Sequence, residues 1–176
     1  PVDANSNQDD LDNDADSNND GTDDGEALAA GLNPLSDAAA NSGTVGAVAV
    51  AGNAIEVETG VSLLDPNQSL AFVAMGTSGV SILDVSDPLV PIILSVVALP
   101  GDNQDVAYLA SEGLLLVAGG DSGLHLVDVS DAMRPMLDET IDVGGTASRV
   151  TSFGLRPFVA SGSEIVQIDI LAGGIV

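Results

Sequence analysis

Residues 70–87 read LAFVAMGTSGVSILDVSD, and residues 114–131, which begin 44 positions later, read LLLVAGGDSGLHLVDVSD. Each copy holds two short apolar runs on either side of a glycine-containing turn, the pattern of two paired strands. A third, degenerate copy, FVASGSEIVQIDI, covers residues 158–170 and lacks one residue in its turn. A fixed period in the low forties predicts an array of β-propeller blades, each a four-stranded antiparallel sheet.

The apolar runs predict where the strands lie. They cover residues 61–64, 70–75, 80–85 and 92–99 in the first repeat, 106–109, 114–118, 124–129 and 136–143 in the second, and 147–152, 158–160 and 165–170 in the third. Residues 54–58 are interpreted as the outer strand of a preceding blade. Closed propellers have about four to eight blades, so we expect an all-β, incomplete array that belongs to a larger propeller and exposes the flanks of its terminal blades.

The composition excludes several classes of function. Lys and Arg number three against 27 acidic residues, which gives a formal net charge of −24. Nucleic acids and anionic membrane surfaces bind clustered Lys and Arg, so neither is an expected partner. The chain has no cysteine, which excludes disulfides, zinc-thiolate sites and thiol catalysis. The longest apolar run, residues 89–100, is interrupted by Pro91 and is too short to span a bilayer.

The first 26 residues carry ten carboxylates and no basic residue. Oxygen-bearing side chains recur at every second position and end in Gly21, a pattern that suits a hard divalent cation. Without a cation, two unit charges about 4 Å apart repel by roughly 1 kcal/mol in water. The pattern predicts an irregular Asp-rich calcium-binding segment, whose alternating residues are Asp12, Asp14, Asp16, Asn18 and Asp20. A solvated acidic tail and adaptation to high salt are the alternatives.

The repeats resemble a known family at two strings, GVSILDVSDP in residues 79–88 and GLHLVDVSD in residues 123–131. Both are similar to the LVIVD repeat, a bacterial and archaeal β-propeller family of surface and secreted proteins. The resemblance covers residues 61–170, and the third copy departs from it with QIDI. It implies a secreted or cell-surface location.

Residues 16–34, DSNNDGTDDGEALAAGLNP, resemble thrombospondin type-3 calcium repeats in their short bacterial form. The resemblance implies side-chain ligands at Asp16, Asn18, Asp20 and Asp24 and a carbonyl ligand at Thr22. The last acidic position of the pattern falls on Ala27, with Glu26 beside it. The missing closing carboxylate suits weak binding, with a Kd on the order of 10⁻⁴–10⁻³ M. We therefore expect three regions: a calcium-binding segment (1–35), a linker (36–46) and propeller repeats (47–176).

Residues 120–123 read GDSG, as around a protease nucleophile, but the equivalent residues 76–79, GTSG, form a plain turn. A serine nucleophile needs a histidine base oriented by a third group, and the single histidine, His125, lies only three residues further on. His125 aligns with Ser81 and is interpreted as aligning with Gln167. A polar strand position is therefore a simpler interpretation of His125 than a metal or catalytic role. The three arginines are expected to pair with nearby carboxylates.

Asp84, Asp128 and Asp169 share one register near the end of the third strand of each repeat. Their carboxylates either form a ring of ligands or, more simply, accept hydrogen bonds from backbone N–H groups of the following turn.

The sequence favours a non-enzymatic, secreted or cell-surface protein with Ca²⁺ as its cofactor. The propeller repeats would serve as a binding or adhesion module for a protein or glycan partner. One alternative is part of a propeller enzyme whose active site lies in other blades. Another is a halophilic acidic structural protein.

Overall fold

The structure, a computed structural model, describes residues 46–170, which belong to one compact unit spanning Val45–Val176. Within this range the chain forms eleven strands and no helix. The strands are β1 (Glu56–Val61), β2 (Ser69–Ala74), β3 (Val80–Asp84), β4 (Ile92–Val97), β5 (Asp105–Leu109), β6 (Leu114–Ala118), β7 (Leu124–Asp128), β8 (Met136–Ile141), β9 (Ala147–Phe153), β10 (Arg156–Ser161) and β11 (Glu164–Gln167).

The strands pair in chain order into three antiparallel sheets. Sheet 1 contains β1–β4, sheet 2 contains β5–β8, and sheet 3 contains β9–β11 in the described part of the chain. The prediction of an all-β fold built from successive antiparallel sheets is confirmed. The first strands lie side by side, because β1 contacts β5 and β5 contacts β9.

The first strand of sheet 1 differs from the prediction. β1 runs from Glu56 to Val61 and pairs with β2, with Val57 opposite Val73. The interpretation of residues 54–58 as part of a preceding blade is therefore wrong. The predicted strand at 61–64 is wrong as well, since Leu63 and Leu64 lie exposed in the loop after β1. The remaining strands overlap their predicted ranges, and β6 coincides with residues 114–118.

Two apolar layers separate the three sheets. Between sheets 1 and 2, Phe72, Ile82 and their neighbours pack against Val106, Leu115 and Val127. Successive side chains of a strand point to opposite faces, so Leu116 and Leu126 face the other way and pack with Val150 and Val159 of sheet 3. Sheet 2 is thus covered on both faces, as its continuous apolar strands predict.

A leading segment, residues 46–52, runs across the outer face of sheet 1. Val50 packs there against a small cluster formed by Ala71, Val73, Met75 and Leu83. Gly46 lies against the backbone oxygens of Pro88 and Leu89, and Gly52 lies against Met75 and Ser78 at the opposite end of the sheet. The leading segment therefore covers the middle strands of sheet 1 and leaves β1 open, with Val57 and Val61 exposed.

Glycine closes the hairpins between the second and third strands. Gly79 and Gly123 adopt φ angles of 84° and 94°, a region that L-residues with a side chain rarely occupy. A Cβ at either position would also meet a backbone oxygen of the fourth strand, that of Val97 or Ile141. These two glycines allow the turn and the fourth strand to pack closely.

Candidate functional site

The predicted calcium ligands lie outside the described residues. Asp12, Asp14, Asp16, Asn18, Asp20, Thr22, Asp24 and Glu26 all precede residue 46, as do the predicted calcium-binding segment and nearly all of the predicted linker. Their role stays a prediction. The described residues contain a different pair of carboxylates, which stand at the beginning of the first strands of sheets 1 and 2.

Asp105 of β5 connects sheet 2 to sheet 3. Its carboxylate oxygen Oδ2 accepts a hydrogen bond of 2.7 Å from the backbone N–H of Val150 in β9. Asp105 is buried, and a charge-assisted bond to a backbone N–H is stronger than a neutral one. The bond joins residues 45 positions apart in the chain, so it holds two sheets together.

Glu56 of β1 occupies the same position one sheet earlier. Glu56 lies opposite Ala74 in sheet 1, as Asp105 lies opposite Ala118 in sheet 2. Burial raises the pKa of Glu56, the negative charge of Asp105 raises it further, and the backbone N–H of Val106 lowers it by hydrogen bonding. Asp105 thus bonds to the N–H of Val150 in the following sheet, and Glu56 lies near the equivalent N–H of Val106.

Arg149 breaks this series in sheet 3. It lies opposite Ala160, and its guanidinium nitrogen Nη1 donates to the carbonyl of Ser148 at 2.7 Å. The expectation that the arginines pair with carboxylates is wrong for this bond, which goes to a backbone oxygen. At the third equivalent position a hydrogen-bond donor therefore replaces the acceptor.

The first-strand carboxylates do not belong to a metal-binding cluster in the described part of the chain. Glu56 Oε2 is buried and has no hydrogen-bond partner among the described residues. Across residues 46–170, no group of three or more His, Asp or Glu side chains is arranged to hold a metal ion. Asp105 serves instead as an acceptor between sheets 2 and 3.

His125 bridges sheet 2 and the connection that precedes it. The ring is fully buried, with Nε2 3.0 Å from the carbonyl oxygen of Pro100 and Nδ1 2.8 Å from Thr140 Oγ1. A carbonyl only accepts, so Nε2 carries a proton, and in the neutral ring Nδ1 accepts from the threonine hydroxyl. Desolvation lowers the pKa of His125, while the bond to Pro100 raises it. Both ring nitrogens are occupied, which supports the polar strand position expected from the sequence.

The equivalent of His125 in sheet 3 differs from the sequence-based alignment. His125 pairs with Val117, Ser81 pairs with Val73, and Val166 pairs with Val159. Val166 therefore takes this position, and the alignment with Gln167 is wrong by one residue. The deleted turn residue shifts the register.

The turn after the third strand is held by a carboxylate, as the sequence predicts. Asp84 Oδ1 accepts from the Ser86 N–H at 2.9 Å, and Asp128 Oδ1 accepts from the Ser130 N–H at 2.8 Å. Hydrogen bonds from Ser86 and Gln68 lower the pKa of Asp84. These bonds confirm the structural interpretation for Asp84 and Asp128.

The described unit has two clefts, one at sheet 1 and one at sheet 3. One, of about 460 Å³, lies near the β2–β3 turn and is lined by Asn53, Thr77, Ser78 and Asp102 together with apolar and glycine neighbours. The other, of about 480 Å³, lies at sheet 3 beside Asp105 of sheet 2 and is lined mainly by apolar atoms, with Arg149, Phe158, Ala160 and Ile165 among its residues. The first offers hydroxyl, amide and carboxylate groups, and the second offers an apolar surface.

No protein-family model matches the chain, and no curated protein matches it. Among the described residues, no helix has the length and apolar character needed to cross a membrane.

Sequence reasoning missed the acceptors between sheets. The signal is a repeated dipeptide, Glu56-Val57, Asp105-Val106 and Arg149-Val150, in which valine follows a charged residue at the start of each first strand. The three pairs become equivalent only when β1 is placed at residues 56–61, and the sequence-based strand at 61–64 concealed the match.

Proposed function

We propose that the chain is a non-enzymatic, calcium-binding protein of the cell exterior, whose sheets are propeller blades that serve as a binding module for a protein or glycan partner. The arrangement of first strands supports the propeller: β1, β5 and β9 follow one another side by side, each opening its own antiparallel sheet. In a propeller the blades surround a central channel, and successive first strands would line it.

The Asp-rich segment supports the calcium proposal. Ten carboxylates in 26 residues without a basic residue repel one another unless cations neutralise them. Alternate oxygen ligands that end in glycine suit Ca²⁺ better than Mg²⁺, which demands strict octahedral geometry. We expect calcium to bind with a Kd on the order of 10⁻⁴–10⁻³ M, the range of weak extracellular modules.

Calorimetric titration of the full chain with CaCl₂ tests the proposal. The variant Asp16→Asn, Asp20→Asn, Asp24→Asn should lose the binding heat. A matched control, Asp37→Asn, Asp102→Asn, Glu112→Gln, removes the same charge outside the ligand pattern and should bind calcium as the wild type does. NaCl at equal ionic strength provides the second control. Equal effects of CaCl₂ and NaCl, or equal loss in both triple variants, would replace specific calcium binding by general screening of the acidic charge.

A further inference from the structure

The cleft of about 460 Å³ at sheet 1, called the sheet 1 cleft below, is built by three segments of the chain. Its lining comes from residues 51–55 before β1, from the β2–β3 hairpin at residues 75–78, and from Asp102 before β5. Two backbone hydrogen bonds of 3.0 and 3.1 Å between Gly76 and Asn103 hold the hairpin against the connection that contains Asp102. The walls of the cleft are therefore fixed by backbone contacts.

A carboxylate and an aliphatic side chain meet above Gly76 in this cleft. A Cβ on Gly76 would lie 3.0 Å from Asp102 Oδ1 and 3.2 Å from Ile55 Cδ1, so the missing side chain keeps this space open. Ile55 is 49 % exposed, although it is a large apolar residue. The sheet 1 cleft thus places one negative charge beside an exposed apolar surface.

The corresponding position at sheet 2 is closed by the chain itself. The backbone bridge between hairpin and connection repeats there, which makes Asp121 equivalent to Thr77 and Thr146 equivalent to Asp102. Thr146 Oγ1 donates to Asp121 Oδ1 at 2.6 Å. A hydroxyl group of the chain therefore occupies the carboxylate at sheet 2.

At sheet 1 the same two residue types have exchanged places, and the carboxylate is bound differently. Asp102 Oδ2 accepts from Gln104 Nε2 at 3.1 Å. The threonine–aspartate bond of sheet 2 has no counterpart between Thr77 and Asp102 among the hydrogen bonds of the described residues. Asp102 Oδ1, which lies over Gly76, is thus available to a donor from another molecule.

The charge of the chain favours a cationic donor. Lys and Arg number three against 27 acidic residues, and none of the three arginines lines the sheet 1 cleft. The field of such a chain attracts cations. Lysine has an aliphatic stem that packs on apolar surface and a compact charged head, which match Ile55 and Asp102. A guanidinium prefers two acceptor oxygens, and one of the two on Asp102 is already bound by Gln104.

We propose that the sheet 1 cleft binds a lysine side chain of a partner protein, with the ammonium group on Asp102 and the stem against Ile55. This inference rests on the binding module proposed above and names the class of partner that the module takes. An exposed ion pair contributes little by itself, so a single lysine binds weakly. In a complex, the cleft holds one anchor residue within a wider contact.

NMR titration of the ¹⁵N-labelled full chain with Nα-acetyl-lysine methylamide tests the proposal. We expect a Kd on the order of 1 mM, with chemical-shift changes at the amides of Ile55, Gly76 and Thr77. The norleucine analogue has the same stem without the ammonium group and should not bind. The arginine analogue should bind more weakly than the lysine analogue.

Two variants separate the cleft from the general acidic charge. Asp102→Asn should raise the Kd about tenfold, whereas the matched control Asp121→Asn removes the same charge at sheet 2 and should change it by less than about twofold. The exchange Thr77→Asp, Asp102→Thr keeps the net charge and copies the arrangement of sheet 2. It should therefore close the cleft and weaken binding as much as Asp102→Asn does. All three positions are exposed, so each variant should keep the wild-type circular dichroism spectrum and Tm.

Several outcomes would overturn the proposal. These are the absence of shift changes with the lysine analogue, equal changes with the norleucine analogue, tighter binding of the arginine analogue, and an exchanged variant that binds as the wild type does. Preferential binding of methyl α-glucoside at the same amides would assign the cleft to a glycan. Chains that bind calcium in the calorimeter but not the lysine analogue would overturn this inference alone, whereas the reverse result would overturn only the calcium proposal.

Discussion

His125 shows how one buried side chain connects its neighbours through both ring nitrogens. Its Nε2 atom donates to the carbonyl of Pro100, and in the neutral ring, which desolvation favours, its Nδ1 atom accepts from Thr140. Ser81, the equivalent residue of sheet 1, is also fully buried, and its hydroxyl has no partner among the described residues. The larger ring connects two segments that the serine leaves unconnected.

Acidification should weaken the fold through His125. Its pKa in the folded state lies below the ordinary 6.5, so below about pH 6.5 the unfolded chain binds more protons than the folded one. The stabilisation is complete above that pH and is lost as the pH falls. His125→Gln keeps a donor and an acceptor but does not titrate. We expect it to cost about 1 kcal/mol at pH 8 and to flatten the dependence of unfolding free energy on pH between 8 and 5.5.

Urea unfolding of both proteins across this pH range provides the measurement. The contribution of Glu56 to the pH dependence of stability has the opposite sign. Its pKa is raised in the folded state, so its protonation favours folding as the pH falls. It is present in both proteins, so their difference isolates the histidine. Parallel pH profiles for the two proteins would contradict the assignment.

Residue-level roles were predictable from sequence only where they depend on local geometry. The carboxylates of Asp84 and Asp128 bind an N–H two residues further on, and an Asp-x-Ser pattern at a strand end is enough to predict that bond. Asp105 binds an N–H of another sheet. The partner of Asp105 depends on how two sheets pack, and the sequence around Asp105 does not indicate that packing.

The hairpins between the second and third strands differ in what they require of their glycine. In sheets 1 and 2 the hairpin glycine serves two purposes, since its positive φ forms the turn and its lack of a Cβ admits the fourth strand. In sheet 3, Gly162 also has a positive φ but meets no atom within 4 Å. The requirement for close approach is therefore absent where no fourth strand is described.

Two glycine substitutions separate backbone strain from steric overlap. Gly123→Ala places a Cβ against the carbonyl oxygen of Ile141, whereas Gly154→Ala, at a φ of 58°, meets nothing within 4 Å. Gly154→Ala should cost about 1 kcal/mol for the left-handed conformation alone. Gly123→Ala should cost at least about 1 kcal/mol more, because the fourth strand has to move. Thermal unfolding of both variants measures the difference, and equal losses would show that β8 yields freely.

The placement of elements followed from apolar runs wherever a strand is buried on both faces. β2, β3, β6 and β7 match their predicted ranges within about one residue for this reason. β1 was misplaced because its sequence, EVETGV, alternates charged and apolar residues and has the appearance of an outer strand. Its side chains are only partly covered, since its outward side faces no sheet in the described unit.

At the scale of the whole molecule, the described unit is held together by its first strands. The outer strands β4 and β8 have partly exposed side chains, while β5 is almost fully buried. The apolar layers on either side of sheet 2 contain aliphatic side chains almost exclusively, and such layers are non-directional. Directional contacts between sheets come from the Asp105 carboxylate and from backbone bridges, which pair Gly76 with Asn103 and Gly120 with Ala147.

Removing the acceptor of Asp105 should loosen sheet 3 from sheet 2. Asp105→Ala leaves the buried N–H of Val150 unpaired, a loss of about 1–3 kcal/mol. Asp105→Asn retains an acceptor oxygen and removes the repulsion with Glu56, so it should recover most of that loss. Asp102→Ala, at an exposed aspartate three residues earlier, is the control and should stay within about 0.5 kcal/mol of the wild type.

Urea denaturation followed by far-ultraviolet circular dichroism gives these free energies. Hydrogen exchange adds a local reading, since the Val150 amide should lose protection in Asp105→Ala and keep it in Asp105→Asn. An unchanged exchange rate at Val150 in both variants would show that the Asp105 carboxylate does not protect this amide.

The boundary between sheets 1 and 2 also holds the single tyrosine of a chain that has no tryptophan. The Tyr108 ring lies 4.5 Å from that of Phe72, measured between centroids, and its hydroxyl donates to the Val61 carbonyl at 3.1 Å. The phenol chromophore therefore reports on one place only. Its near-ultraviolet signal tells an experimenter when those two sheets separate, without any label having to be attached.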